Sequence, residues 1–271
     1  MLTLRSEREI QKMRRAGLLV WYALQIAGSM MRPGITTGEI DSQVERFFLD
    51  HKSIPLFKGV PGKVPFPAVT CISVNDEIVH GIPGKRELIE GDIVGVDTGC
   101  KLDGWCGDAA FTFPIGKISS KAAKLLDVTK RTLEIAIESL AVSSKWSEVA
   151  TKMENCAKSN GFSVVESLVG HGIGREMHEL PQVPNFVNRD LLRYGDFRIQ
   201  PGLVIAVEPM VNLGTKNIHV EKDHWTIRTK DRQLSAHFEH TLAVTETGVL
   251  VLTGEPVNDD ERIDVTKYMM A

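Results

Sequence analysis

Apolar positions along this chain fall into two successive rounds, each with helical spacing first and strand-like runs afterwards. From Ser6 to about Met31 the spacing predicts a helix. Ser6 stands as its N-cap, Glu9 takes the capping-box position three residues on, and Pro33-Gly34 ends it. Thr37 is read as the cap of a second helix, with Ile40, Val44, Phe47 and Phe48 on one face. The stretch Ile54–Thr70 holds four prolines and reads as a loop at the border of a cleft. Cys71–Val74 and Ile93–Asp97 read as strands. The second round opens with helices over Lys121–Leu140 and Ser147–Asn160, the latter stopped by Gly161. Strand-like runs follow at Ser163–Val169, Leu203–Val207, His219–Arg228 and His237–Val244. This order predicts an α+β fold with a largely antiparallel sheet covered by helices.

The two rounds also resemble each other residue by residue. A shift of 109 lays Ala23–Ala27 on Thr132–Ala136 and Glu39-Ile40 on Glu148-Val149. A shift of 91 lays His80-Gly81-Ile82 on His171-Gly172-Ile173, and one of 111 lays Ile93–Asp97 on Val204–Glu208. Any one of these matches could be chance. Their shared order, with acids and histidines in register, predicts one catalytic unit of two pseudo-symmetric halves, about 1–115 and 116–271, with the functional site between them.

Composition narrows the class. A formal net charge of −3 over 271 residues gives no electrostatic reason to expect nucleic acid or an anionic membrane as partner. Cys71, Cys100, Cys106 and Cys156 form no CxxC pair, and free thiols fit a reducing cytoplasm. The first fifteen residues lack the apolar core of a signal peptide. Ala16–Met31 is apolar-rich but broken by Gly17, Gln25, Gly28 and Ser29, so it reads as a buried helix and not as a membrane span.

Candidate chemistry begins in Ile93–Phe113. A turn centred on Leu102-Asp103 would set Asp97 directly opposite Asp108 on one face of a hairpin. Two carboxylates so placed repel unless a cation lies between them, and the alternative is a pair of solvated surface aspartates. Apolar neighbours Val94, Val96, Ala109, Ala110 and Phe111 favour a partly buried hairpin. In the internal alignment Glu208 takes the place of Asp97, and Glu239 that of Asp108. His171 lies in the flexible run Gly170-His171-Gly172-Ile173-Gly174. Two Asp, two Glu and one His suit Mn, Fe, Co or Zn. Four carboxylates offset the charge of two divalent ions, between which a water would ionise near neutral pH and attack a carbonyl.

The segments Val79–Pro83, Asp97 with Asp108, Gly170–Arg175 with His178-Glu179, Glu208-Pro209-Met210 and Phe238–Thr241 occur in the order found in the methionine aminopeptidases. The chain resembles that family, in its short type I form typical of bacteria, along almost its whole length. The resemblance implies the pita-bread fold shared with prolidase and creatinase. It implies a cytoplasmic, monomeric metallo-exopeptidase that removes the initiator methionine from nascent polypeptides with a small second residue. It also implies two divalent ions as cofactors and a transient contact with the ribosome. By the same resemblance Asp97 holds one ion, His171 and Glu208 the other, and Asp108 and Glu239 bridge them; Glu208 is also the general base. His80 and His178 match two substrate-side histidines, although each taken alone would read as structural. Cys71, Phe66, Met177 and Trp225 correspond to the wall of the methionine pocket. Many relatives carry an aromatic residue at Met177 and a tyrosine near Lys63 or Phe66, so the pocket mouth is expected to differ. His51, His219, His224, His237 and His240 receive no catalytic role.

The sequence leaves two rival readings. One is an X-prolyl aminopeptidase or prolidase, whose usual large N-terminal domain is not expected here. The other is a non-catalytic protein of the same fold that binds RNA or protein, in which metal ligands are typically lost; all five positions are filled in this chain.

Overall fold

A computed structural model describes residues 2–269. The first half runs through α1 (Glu7–Ser29), α2 (Thr37–Asp50), β1 (Ile54–Pro55), β2 (Thr70–Val74), β3 (Glu77–Val79) and the hairpin β4 (Ile93–Leu102) with β5 (Trp105–Pro114). The second half repeats the plan with α3 (Ser120–Leu140), α4 (Trp146–Ser159), β6 (Ser163–Val164), β7 (Gly170–Gly172), β8 (Glu179–Val183), β9 (Val204–Val207) and β10 (Met210–Asn212). It ends with β11 (Ile218–Val220), β12 (Ile227–Thr229), β13 (Ser235–His237), β14 (His240–Thr245) and β15 (Gly248–Val251).

All pairings between these strands are antiparallel. In the first half β4 lies between β2 and β5, and in the second the order is β15-β14-β9-β7-β8. The sheets meet where β5 passes the start of β14. Glu239 N–H donates to Ala110 O at 2.7 Å, and Thr241 Oγ1 both accepts from Asp108 N–H at 3.1 Å and donates to Asp108 O at 2.8 Å. Each half has its own core under its helix pair. Phe47, Phe48, Leu24 and Ile26 pack on Ile72, Val94 and Val96; Trp146, Leu133 and Val149 pack on Ile205, Val207 and Leu242. Fully burying a side chain of this size contributes ~1.5–3 kcal/mol. The apolar stretch inside α1 is thus core, and no helix among the described residues is long and apolar enough to cross a membrane.

Local chemistry moves several boundaries from their expected places. Ser6 and Glu9 form the expected capping box. Thr36, not Thr37, caps α2, with Glu39 returning to the Thr36 N–H, because only Thr36 has Glu three residues ahead. The run His219–Arg228 is two strands, not one. Asp223 accepts from the Trp225 and Thr226 N–H groups and turns the chain, and His224 takes φ 68°. The run His237–Val244 breaks at Phe238-Glu239, where the chain leaves Met210 (opposite His237) for Val207 (opposite His240). Of Ser163–Val169 only Ser163–Val164 pairs as a strand.

The most consequential shift is in the β4–β5 hairpin. Its two-residue turn is Asp103-Gly104, with φ of 49° and 79°. Asp-Gly accommodates two left-handed residues, which Leu102-Asp103 would not. The register therefore sets Asp97 opposite Ala110 and Asp108 opposite Gly99. The two aspartates are diagonal neighbours on one face, not a directly opposed pair.

Candidate metal centre

Each acid arrives from a different strand end or strand interior. Asp97 and Asp108 come from the hairpin face, and Gly99 opposite Asp108 leaves the space in which its carboxylate lies. Glu208 follows β9, its carbonyl accepting from Asn185 Nδ2 at 3.1 Å. Glu239 sits at the break between β13 and β14. His171 is central in β7, beside Ala206 of β9. Its Nδ1 donates to Gly172 O at 3.0 Å in the tautomer that leaves the Nε2 lone pair free. That Nε2 lies 3.6 Å from Glu208 Oε1 and 3.9 Å from Asp108 Oδ2. Ligand atoms of Asp108, His171 and Glu239 all fall within 4.8 Å of one another.

Burial acts strongly on this cluster. It pushes all four carboxyls up, Asp108 to about 7, and mutual repulsion raises Asp97, Glu208 and Glu239 further. Burial, with His178 nearby, holds His171 down at about 4. Buried Asp97 Oδ1, Asp108 Oδ1 and Glu239 Oε1 have no hydrogen-bond partner. Buried acceptors cost free energy when left so, and four oxygen-rich ligands plus one imidazole are a donor set for borderline or hard divalent cations. The residues present therefore fit such ions.

One cavity of about 140 Å³ joins this cluster to an apolar chamber formed by Phe57, Val60, Phe66, Cys71, Met177 and Trp225, with His80 and His178 at its edge. All eleven site residues expected from the sequence converge on it. Trp225 is anchored by its Nε1–H to Val64 O at 2.7 Å and meets Phe66 edge-on at 5.2 Å. Burial, reinforced by Asp97, raises the Cys71 thiol, which stays neutral. His80 adopts φ 58° at the end of β3, and burial, with His178 nearby, holds it down at about 4. The His178 ring packs edge-on against His171 at 4.4 Å, and burial lowers its pKa as well. A second, wider cleft of about 500 Å³ shares His80, Asp97, His171, His178 and Glu208, and continues along Val79, Leu168, Leu180 and Met210.

Among the wall residues outside the expected set, Phe57, Val60 and His237 bear directly on the chamber and the acids. Phe57 and Val60 sit in the proline-rich loop, whose closure against Trp225 leaves no periodic trace. His237 received no catalytic role, yet its buried Nε2 faces Glu208 Oε2 at 3.8 Å with no hydrogen-bond partner. Strand alternation places positions 237 and 239 on one face, which was the available signal.

Comparison with known proteins bears on this geometry. Residues 11–246 match the family model of metallopeptidase family M24. The chain belongs to metallopeptidase family M24. It is accordingly a metal-dependent hydrolase, and its fold is the pita-bread fold of that family. Within M24 it is 43% identical over 254 residues to a methionine aminopeptidase of Clostridium perfringens, covering 93% of this chain and 99% of that one. Identity to methionine aminopeptidase 1 of Bacillus subtilis is 41%, with the same coverage. The crystal structure of a methionine aminopeptidase from Thermotoga maritima superposes with a TM-score of 0.88 at 38% identity, covering 94% of this chain and all of that one. A prolidase from Pyrococcus furiosus shares the M24 fold at a TM-score of 0.73 and 19% identity.

Proposed function

We propose that this M24 enzyme removes the N-terminal methionine from newly made polypeptides, with the whole chain acting as one catalytic unit. The observation that carries the reading is the small apolar chamber ending directly on the acid and imidazole cluster. It has the size and softness for one unbranched thioether side chain. The wider cleft that shares His80, His171, His178 and Glu208 with this chamber gives the rest of the peptide its path. A terminal residue fits this arrangement; an internal one would need the chain to continue through Phe66 and Cys71.

Asp97, Asp108, His171, Glu208 and Glu239 are the residues that would hold two divalent ions, drawn from Co, Mn, Fe or Zn. Such a pair would supply a Lewis acid for the scissile carbonyl and lower the pKa of the attacking water. Glu208 takes the proton of that water and returns it to the leaving amine. His80 and His178, neutral because burial disfavours their charged forms, donate N–H to the scissile peptide and to the tetrahedral oxyanion. Phe66, Cys71, Met177 and Trp225 bind the methionine side chain, joined by Phe57 and Val60. The preference for a small second residue, action in the cytoplasm as a monomer and a transient approach to the ribosome complete the proposal. Release of methionine from Met-Ala-Ser tests it. Release should vanish on chelation and return with added divalent ion; equal release in chelator, or cleavage confined to X-Pro peptides, would overturn it.

A further inference from the structure

The segment ahead of α1 reaches across the molecule to the loop that carries two substrate-side residues. Arg5 N–H donates to Gly202 O at 2.7 Å, which fixes this segment to the second half. The Arg5 side chain is 9% exposed; its guanidinium lies 5.4 Å from the Trp105 ring centroid and forms an ion pair with Glu179 Oε2. The other oxygen, Oε1, accepts from Arg175 N–H at 2.8 Å and Glu176 N–H at 3.1 Å. Gly174 closes the turn, donating to Glu176 O at 3.1 Å and accepting from Cys106 N–H at 2.8 Å. A Cβ at Gly174 would fall on the Arg5 guanidinium, so arginine and loop are fitted to each other.

Residues 174–179 are thus wrapped around one carboxylate, and Arg5 holds that carboxylate from outside. Met177 and His178 project from this loop into the methionine chamber. The loop has little ladder to support it, because the β7–β8 register breaks between His171 and Gly172. Charge-assisted hydrogen bonds to Glu179 do what a ladder does elsewhere. The acids and His171 are instead fixed by strands and strand ends.

We propose that Arg5 and Glu179 are positioning residues: a strap from the N-terminal segment holds the 174–179 loop, and so sets how tightly terminal methionine is bound. This rests on the methionine aminopeptidase reading above. Arg5→Met keeps an unbranched stem over Trp105 and removes the charge. Three quantities separate positioning from general damage: KM and kcat on Met-Ala-Ser, calorimetric affinity for free methionine in the Mn²⁺-loaded protein, and affinity for Mn²⁺ itself.

A misplaced binding group commonly costs an order of magnitude or more, so KM and the methionine Kd should each rise about tenfold, with the Mn²⁺ Kd within about twofold of wild type. Arg5→Lys, which restores a cation opposite Glu179, should recover most of the loss. Methionine affinity and KM unchanged in Arg5→Met would overturn the strap, as would parallel losses of methionine and Mn²⁺ affinity. Should Arg5→Met fail to fold, Glu179→Gln decides on the same readings, since its amide oxygen still accepts from Arg175 and Glu176. A wild-type protein that neither binds nor releases methionine overturns the functional reading itself, whereas an active wild type matched by Arg5→Met overturns only the strap.

Discussion

Two groups of acids in this protein meet opposite fates. Asp76, Glu77 and Glu221 converge at the β3–β12–β11 edge, where Arg228 reaches all three: Nη1 to Asp76 at 2.7 Å, Nη2 to Glu77 at 2.6 Å and Nε to Glu221 at 2.8 Å. Arg232 and Arg86 add further contacts at 3.0 and 3.3 Å. Asp97, Asp108, Glu208 and Glu239 line one cavity together, yet the basic groups that the structure shows within 4 Å of them are His171 and His237. Burial holds those imidazoles down at about 4 and about 3, so they bring no charge at neutral pH. One cluster carries its counter-charge in the sequence; the other leaves it to be supplied by ions. An acidic cluster alone says little about metal binding. One that folding has deprived of arginine and lysine says much more.

The largest expected effect follows from removing an acid of the second kind. Asp108→Ala should lower kcat/KM on Met-Ala-Ser by about a thousandfold, the scale of losing a principal electrostatic element of a site. Its chelated form should be no less stable than chelated wild type in urea, because one of four repelling carboxyls is gone. Retained activity would remove the metal mechanism.

The paired cluster should answer in the opposite sense. Arg228→Ala strands three partly buried carboxylates and should cost ~3–5 kcal/mol in urea unfolding, with kcat little changed in the folded fraction. Arg232 is 62% exposed on its side chain, and Arg232→Ala should cost under ~1 kcal/mol. Equal costs for the two arginines would mean that Arg228 is not the counter-charge of this cluster.

A smaller effect concerns pH. In the ion-free fold burial raises the four carboxyls, Asp108 to about 7, so below that pH the folded state holds protons that an unfolded chain, with carboxyls near ~4, has released. That proton uptake favours the ion-free fold at low pH and is lost as pH rises through about 7. Divalent ions must displace those protons, so ion binding releases them and strengthens as pH rises. The increase in melting temperature on adding Mn²⁺ should therefore be larger at pH 8 than at pH 5.5. An increase independent of pH would mean that the carboxyls are already ionised in the ion-free protein.

Much of this could be read before any fold was in view, and the exceptions have specific causes. The capping pair Ser6 and Glu9 and the helix-helix-strand order of both halves are encoded locally or by internal repetition, and the five candidate ligand positions follow from the motifs that resemble the methionine aminopeptidases. The Asp97–Asp108 register was missed by two positions, because the turn follows the left-handed tolerance of Asp103-Gly104 and not the midpoint of the polar stretch. Phe57 and Val60 join the chamber through a contact between residues 64 and 225, which no local pattern announces. The alternation of His237 with Glu239 was legible, but the run His237–Val244 does not announce that the chain changes partners at Phe238-Glu239.

The seam between the halves has one more consequence. Asp97 and Asp108 belong to the first hairpin, while His171, Glu208 and Glu239 belong to the second half, and beside the cluster Ala110, Asp108 and Thr112 bond across to Glu239, Thr241 and His237. Cations lodged there would act as further rivets across a joint that the β3–β12 pairing already fastens, turning their affinity into cohesion of the whole molecule. Metal supply would then govern the lifetime of the folded enzyme as well as its turnover.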